Sequence, residues 1–493
     1  MKKILPFLII LFAGFISSCK KDKKNNTPTS TINLIKDSVY YYEKEDYLWN
    51  DAIPSYSTFD PRSYTADNDL DALNSELFAI SQLKTNPETN APYEYYATDP
   101  TEPKYSFIDN GAEAASLNGT NADFGFEPAY IADDDLRVKY VYPGSPADVA
   151  GIKRGYQITS INGSTDLSSD DNTDLNYVIN AVYYSTTITM VLLKPDETSI
   201  TVTLNETNYT VNPVITYKTF NEGNGHIIGY IVFNSFTALS NAQPELDAAF
   251  NSFIANGVNE LVVDLRYNSG GDGETAEYLD NLIVPAAKTN TLMYTKYYNS
   301  NLQNDVYPLL SKKYSLTKGE FLPQNNQIQF SKQLTLSLNR VFFIVTSETA
   351  SSSELAINNL LPELNVQLIG NTTYGKPVGE IPIPINNYVL YSPQLYVENS
   401  VEKGDYYSGM EPGTVTYPGK LAADDITKEF GDTTEMLLSY ALNYVKNSTY
   451  ALKTPQVQGL AKEHTLSLSQ SRAISLQLNR RKLKPMLFSK KVK

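Results

Sequence analysis

Residues 346–360 read TSETASSSELAINNL, and the serines Ser351, Ser352 and Ser353 within them are the side chains of this chain best seated for nucleophilic chemistry. The apolar run 341–345, VFFIV, enters the segment as a buried strand, and from Glu354 to Leu361 the spacing is helical. A strand that breaks at small polar residues and resumes as a helix exposes a side chain at the helix N-terminus, where unpaired backbone N–H groups favour negative charge. A hydroxyl there can attack a carbonyl. The alternative is that Ser351 or Ser353 is simply an N-cap, since caps prefer serine. A nucleophilic serine also needs a base, and histidine is in short supply. His226 opens a predicted strand after a Gly-Asn-Gly turn, His464 sits in a basic tail, and neither position suits the role. A buried lysine is the physical substitute. Two histidines and one cysteine give no metal-ligand cluster, and no spacing implies a cofactor.

The elements that must position such a serine follow from the pattern. From about residue 212 strands alternate with helices: a strand over 227–233, a helix over 242–255 with Leu246, Ala249, Phe250 and Phe253 on one face, and a strand over 260–265. That strand runs into Asn268-Ser269-Gly270-Gly271, where two glycines let backbone N–H groups approach a ligand closely, or simply make a turn. A strand over 366–370 follows the serines, and a helix over 421–445 closes the domain. Upstream, apolar residues recur at helical spacing over 32–83, which predicts a small helical unit. Residues 85–103 read as a loop. Between 121 and 206 the chain predicts short strands, a hairpin around Pro195-Asp196, and a helix capped by Ser145-Pro146 and stopped at Gly151.

At 493 residues the chain is too long for one core, and 41% hydrophobic residues suffice for globular domains. The net charge is −15, although residues 453–493 hold ten Lys or Arg against the single acid Glu463, so the body is more acidic than the whole. An acidic body excludes nucleic acid as the main partner. The only cysteine, Cys19, follows Lys2, Lys3 and a short apolar run over 4–16, a pattern of secretion and not of a membrane span. Ile16-Ser17-Ser18-Cys19 resembles a bacterial lipobox, which implies cleavage before Cys19, lipid modification there, and a membrane-anchored envelope protein facing the periplasm or the exterior. An ordinary signal peptide is the alternative. Residues 20–30 then read as a flexible tether.

Two further resemblances organise these pieces. The stretch from Phe124-Gly125-Phe126 through PGSPADVAGIKRGYQITSING resembles a PDZ domain, which implies that Phe124, Gly125 and Phe126 form a loop for a peptide carboxylate; a PDZ-like spacer that binds nothing is the alternative. The whole of 34–445 resembles the C-terminal processing, or tail-specific, peptidase family, through DLRYNSGG at 264–271, TASSSE at 349–354 and TYGKPVGE at 373–380. That resemblance implies Ser351 as nucleophile and Lys376 as base, with Gly270 or Gly271 and Ser352 holding the oxyanion through backbone N–H groups. Glu380 stands where many members have a glutamine assisting the lysine. Lysine acts as a base only when neutral, and a carboxylate beside it opposes that. The expected fold is multidomain α/β: a signal peptide over 1–19, a tether over 20–30, a helical N-terminal domain over 31–110, a PDZ domain over 111–210, a crotonase-like ββα-spiral catalytic domain over 211–450 and a basic tail over 451–493. The implied activity is serine endopeptidase action on extended or unfolded polypeptides, C-terminal tails included, without a cofactor. A non-catalytic peptide-binding lipoprotein on the same fold is the competing expectation.

Overall fold

The computed structural model describes residues 31–452 and 485–490. A six-stranded sheet lies at its centre, in the order Gly419–Leu421, Asn365–Gly370, Arg340–Val345, Glu260–Asp264, His226–Phe233 and Val214–Gly223. All pairs are parallel except the last. Parallel strands are covered on both faces, which is why runs such as 341–345 are apolar at every position and do not alternate. Val341, Phe343 and Val345 face the helices Leu239–Ala255, Gly273–Ile283 and Ser352–Leu360. Phe342 and Ile344 face Met436–Asn447 on the other side.

The register decides where the chemistry can be. Asp264 lies beside Ile344, and Val345 beside Gly370. The segments that follow these three strands, beginning at Leu265, Thr346 and Asn371, therefore leave the sheet at the same edge. Carboxyl ends of parallel strands are where open α/β sheets place their sites.

A separate body lies between Thr120 and Thr210. Its antiparallel sheet runs in chain order through Phe126–Ala132, Asp135–Val141, Gln157–Ile161, Thr187–Leu193 and Ser199–Asn205, with its own core around Leu136, Val138, Ile158 and Ile179. Thr120–Asp123 pairs with Thr207–Thr210, so the two ends of the body meet. The Ser-Pro signal gives the short helix Pro146–Val149, with the Ser145 hydroxyl accepting from Asp148 N–H and Gly151 at φ +77° after it.

The N-terminal helices Thr31–Asp46 and Asp69–Ser81 form where the spacing predicts, but they do not stand apart. Ile35, Val39, Leu73 and Leu77 join the main core, and the Glu45 carboxylate accepts from Leu309 and Leu310 N–H at 2.9 and 2.7 Å. Phe107–Asp109 pairs with Tyr388–Tyr391 far along the chain. The expected closing helix over 421–445 is shorter and later, Met436–Asn447. Residues before it are spent otherwise: Asp432 makes a turn by accepting from Thr434 N–H, and Glu435 caps the helix by accepting from Leu437 and Leu438 N–H.

Candidate active site

Ser351 sits at the junction of the strand Arg340–Val345 and the helix Ser352–Leu360, at φ +60° and ψ −119°. A non-glycine residue held there costs of order 1–3 kcal/mol and persists only when its surroundings impose it. Those surroundings are visible. The Ser352 hydroxyl donates to Gly271 C=O at 2.7 Å and the Ser353 hydroxyl to Asn268 C=O at 2.8 Å. Thr349 Oγ1 donates to Leu265 C=O at 2.8 Å. The serine loop is thus laced to the glycine loop of the neighbouring strand, and Ser352 and Ser353 spend their hydroxyls on that lacing. The Ser351 hydroxyl, unlike these two, donates to no acceptor among the described residues. It is also fully buried, where the sequence predicts an exposed residue, because the glycine loop closes over it. A Cβ on Gly270 would come within 2.5 Å of Ser351 Cβ and 2.9 Å of its Oγ.

The glycine loop narrows the choice of oxyanion donors. Gly270 N–H already donates to Asn268 Oδ1 at 3.0 Å, while Asn268 Nδ2 is anchored on Phe233 C=O. Gly271 and Ser352 N–H remain as candidates beside Ser351.

One buried carboxylate joins the serine to the lysine. Glu354 Oε2 accepts from Ser351 N–H at 3.0 Å and from Lys376 N–H at 2.8 Å, and Oε1 accepts from Gly375 N–H at 2.7 Å and the Thr373 hydroxyl at 2.5 Å. Burial pushes this carboxyl upward, and its four donors oppose that. Its place three residues after Ser351 is visible in sequence as capping-box spacing, but its reach to the lysine loop is not. Lys376 is itself buried, with Nζ 2.7 Å from Glu380 Oε1 and 5.8 Å from the centre of the Tyr105 ring. The Tyr105 hydroxyl holds Gly375 C=O at 2.7 Å, a contact nothing in the sequence announces. Burial raises the Glu380 carboxyl to about 7 against the attraction of Lys376.

Ser351, Ser352, Gly270, Gly271, Lys376 and Glu380 are therefore brought together. Phe124, Gly125 and Phe126 lie in the separate body, with both phenylalanines in its core and Gly125 N–H donating to Asp123 Oδ1 at 2.8 Å. That body touches the site through Lys139, whose Nζ lies 2.8 Å from Glu348 Oε2 in the serine loop, and through Arg154, which donates to the Tyr267 hydroxyl at 2.7 Å. His226 begins a strand and so lies at the opposite edge of the sheet, 3.8 Å from Glu260. Cys19 and His464 lie outside the described residues. Residues 485–490, in the basic tail, are placed against Gly271 and Glu380, which no pattern in the sequence foretold.

The strand edge, the turn and the paired loops define a serine-centred site on an α/β sheet. Comparison with known proteins adds to this: the model of Peptidase family S41 matches residues 227–410. Among curated relatives, a carboxyl-terminal-processing protease of Picosynechococcus is 27% identical over 53% of this chain and 55% of its own. Carboxy-terminal processing protease CtpA of Bacillus subtilis is 26% identical over 55% of this chain and 52% of its own. The chain thus spans about half the length of the curated relatives it matches. A solved putative S41 protease from Bacteroides fragilis superimposes with a TM-score of 0.58 at 25% identity, over 84% of this chain and 97% of that one.

Proposed function

We propose that the chain is a serine endopeptidase in which Ser351 is the nucleophile and Lys376 the base, acting on extended or unfolded polypeptides and their C-terminal tails. The observation that carries this reading is the Glu354 carboxylate, which ties Ser351 N–H and Lys376 N–H to one atom while leaving Ser351 Oγ unengaged. In the reaction, neutral Lys376 Nζ takes the Ser351 proton as Oγ attacks the scissile carbonyl. Gly271 and Ser352 N–H receive the oxyanion, and the ammonium returns its proton to the departing amine. Water then releases the acyl group by the same route. The similarity to carboxyl-terminal-processing proteases supports the substrate class.

The finer features belong to the same proposal. The catalytic sheet is a crotonase-like spiral, and the body from Thr120 to Thr210 is an inserted PDZ domain whose edge strand Phe126–Ala132 receives a peptide. Cys19 carries a lipid that anchors the protein in the cell envelope. The test is labelling by a fluorophosphonate: the wild-type chain should label, and Ser351→Ala and Lys376→Ala should not. Equal labelling of the Ser351→Ala chain would overturn the assignment, and no labelling of any chain would favour the peptide-binding lipoprotein.

A further inference from the structure

An extended segment of this chain, residues 486–488, runs between the Gly271–Gly273 loop and Glu380. Leu487 is the bridge partner of both Asp272 on one side and Glu380 on the other. Leu487 N–H donates to Gly271 C=O at 3.1 Å, and Gly273 N–H donates to Leu487 C=O at 3.0 Å. On the far side, Glu380 N–H donates to Met486 C=O at 2.9 Å and Phe488 N–H to Glu380 C=O at 3.1 Å. Met486, Leu487 and Phe488 are all buried. An extended segment bonded on both edges by backbone groups is how a polypeptide is received as an added strand. Here the receiving edges belong to the candidate oxyanion loop and to the residue paired with Lys376.

The Phe488 ring fills a slot that the cleft's own sequence creates. A Cβ on Gly273 would stand 2.4 Å from Phe488 Cε1, its three nearest neighbours all being atoms of that ring. A Cβ on Gly379 would stand 2.7 Å from Cε2 on the other side. The Lys296 ammonium lies 3.8 Å from the ring centre. Beyond the slot, Lys490 Nζ is 2.9 Å from Glu320 Oε1.

We propose that residues 486–488 occupy the substrate strand of this cleft as a built-in competitor, and that the slot between Gly273 and Gly379 selects a large apolar side chain in the polypeptide that displaces them. The proposal rests on the peptidase reading for the identity of the displacing ligand. Leu487 C=O is held by Gly273 N–H, two residues beyond Gly271, so it does not lie on the proposed oxyanion donors. A segment tethered in the same chain acts at an effective concentration of about 1 mM. If the isolated segment binds with a Kd of about 0.1 mM, it weakens an outside peptide about tenfold.

The test is fluorescence anisotropy with labelled PMLFSK amide and full-length chains that carry Ser351→Ala to prevent turnover. Adding Phe488→Ala should tighten peptide binding about tenfold. Adding Gly273→Ala, whose nearest new neighbours are atoms of the Phe488 ring, should abolish preference for PMLFSK over the PMLASK peptide. Equal binding with and without Phe488→Ala, or equal binding of the two peptides to the Phe488→Ala chain, would overturn the proposal. Because these measurements need no turnover, the expected binding together with no peptidase activity in Phe488→Ala protein that keeps Ser351 would sink the peptidase reading alone. Active wild-type protein with equal binding would sink only this one.

Discussion

Replacing Glu354 by glutamine should uncouple activity from folding, and the size of the effect follows from the four donors it faces. The amide carbonyl can keep the place of Oε2, between Ser351 and Lys376 N–H. The amide NH2 then takes the place of Oε1, where the Thr373 hydroxyl can rotate to accept but Gly375 N–H, now 2.7 Å from a donor, cannot. One buried N–H without a partner costs about 1–3 kcal/mol. The remaining bonds also lose the strength that charge gave them. Relief from burying a carboxylate, the larger influence on its protonation, offsets part of this. A net loss of about 1–3 kcal/mol in urea unfolding is expected. The kinetic effect should be larger. Gly375 precedes Lys376, and a displacement of about 1 Å between reacting groups costs about 100-fold. Turnover of an unfolded substrate should therefore fall about 10–100-fold with little change in KM. Val262→Ala, in the buried sheet, supplies a control of comparable destabilisation that should keep kcat within about twofold. If Glu354→Gln loses stability but turns over as fast as that control, the carboxylate does not align the two loops.

Three other outcomes are expected. Glu380→Gln removes the carboxyl that lies 2.7 Å from Lys376 Nζ and, once ionised, opposes loss of the lysine proton, so the rising limb of the pH–rate profile should move toward acid; an unchanged limb would show that this carboxylate does not govern the base. Burial raises Glu380, Glu43 and Glu76 to about 7, 8 and 9, so the folded chain keeps protons that the unfolded chain releases near 4.5, and Tm measured by scanning fluorimetry should fall between pH 5 and 9; a flat or rising Tm there would refute the linkage. Cys19→Ser should release the protein from the membrane fraction after a high-salt wash, and retention would show that another device anchors it.

What sequence could and could not foresee divides along a physical line. Local chemistry was legible: the all-apolar run 341–345 demanded a strand buried on both faces, and Ser-Pro followed by Gly151 fixed a short helix and its end. The motifs that follow three strands were legible as motifs, and the strand order and parallel pairing that bring their ends to one edge are found in the structure. Contacts that depend on a side chain reaching between distant loops were not. Glu354 stands at capping-box spacing from Ser351, a local rule, and its three bonds to 373–376 are a second use of the same carboxylate that no local rule shows. Asn268 looked like an ordinary turn residue, yet its side chain occupies the N–H of Gly270 and so removes one of the two glycines from the proposed oxyanion hole. Residues 485–490 carry no periodicity at all, because a segment seated by backbone pairing and one aromatic slot needs none. Its partners are two single residues far back in the chain, Asp272 and Glu380, and the glycines that admit its ring, Gly273 and Gly379, read in isolation as a helix start and a strand residue. The missing information lies in what those glycines lack, a Cβ on each side of one ring.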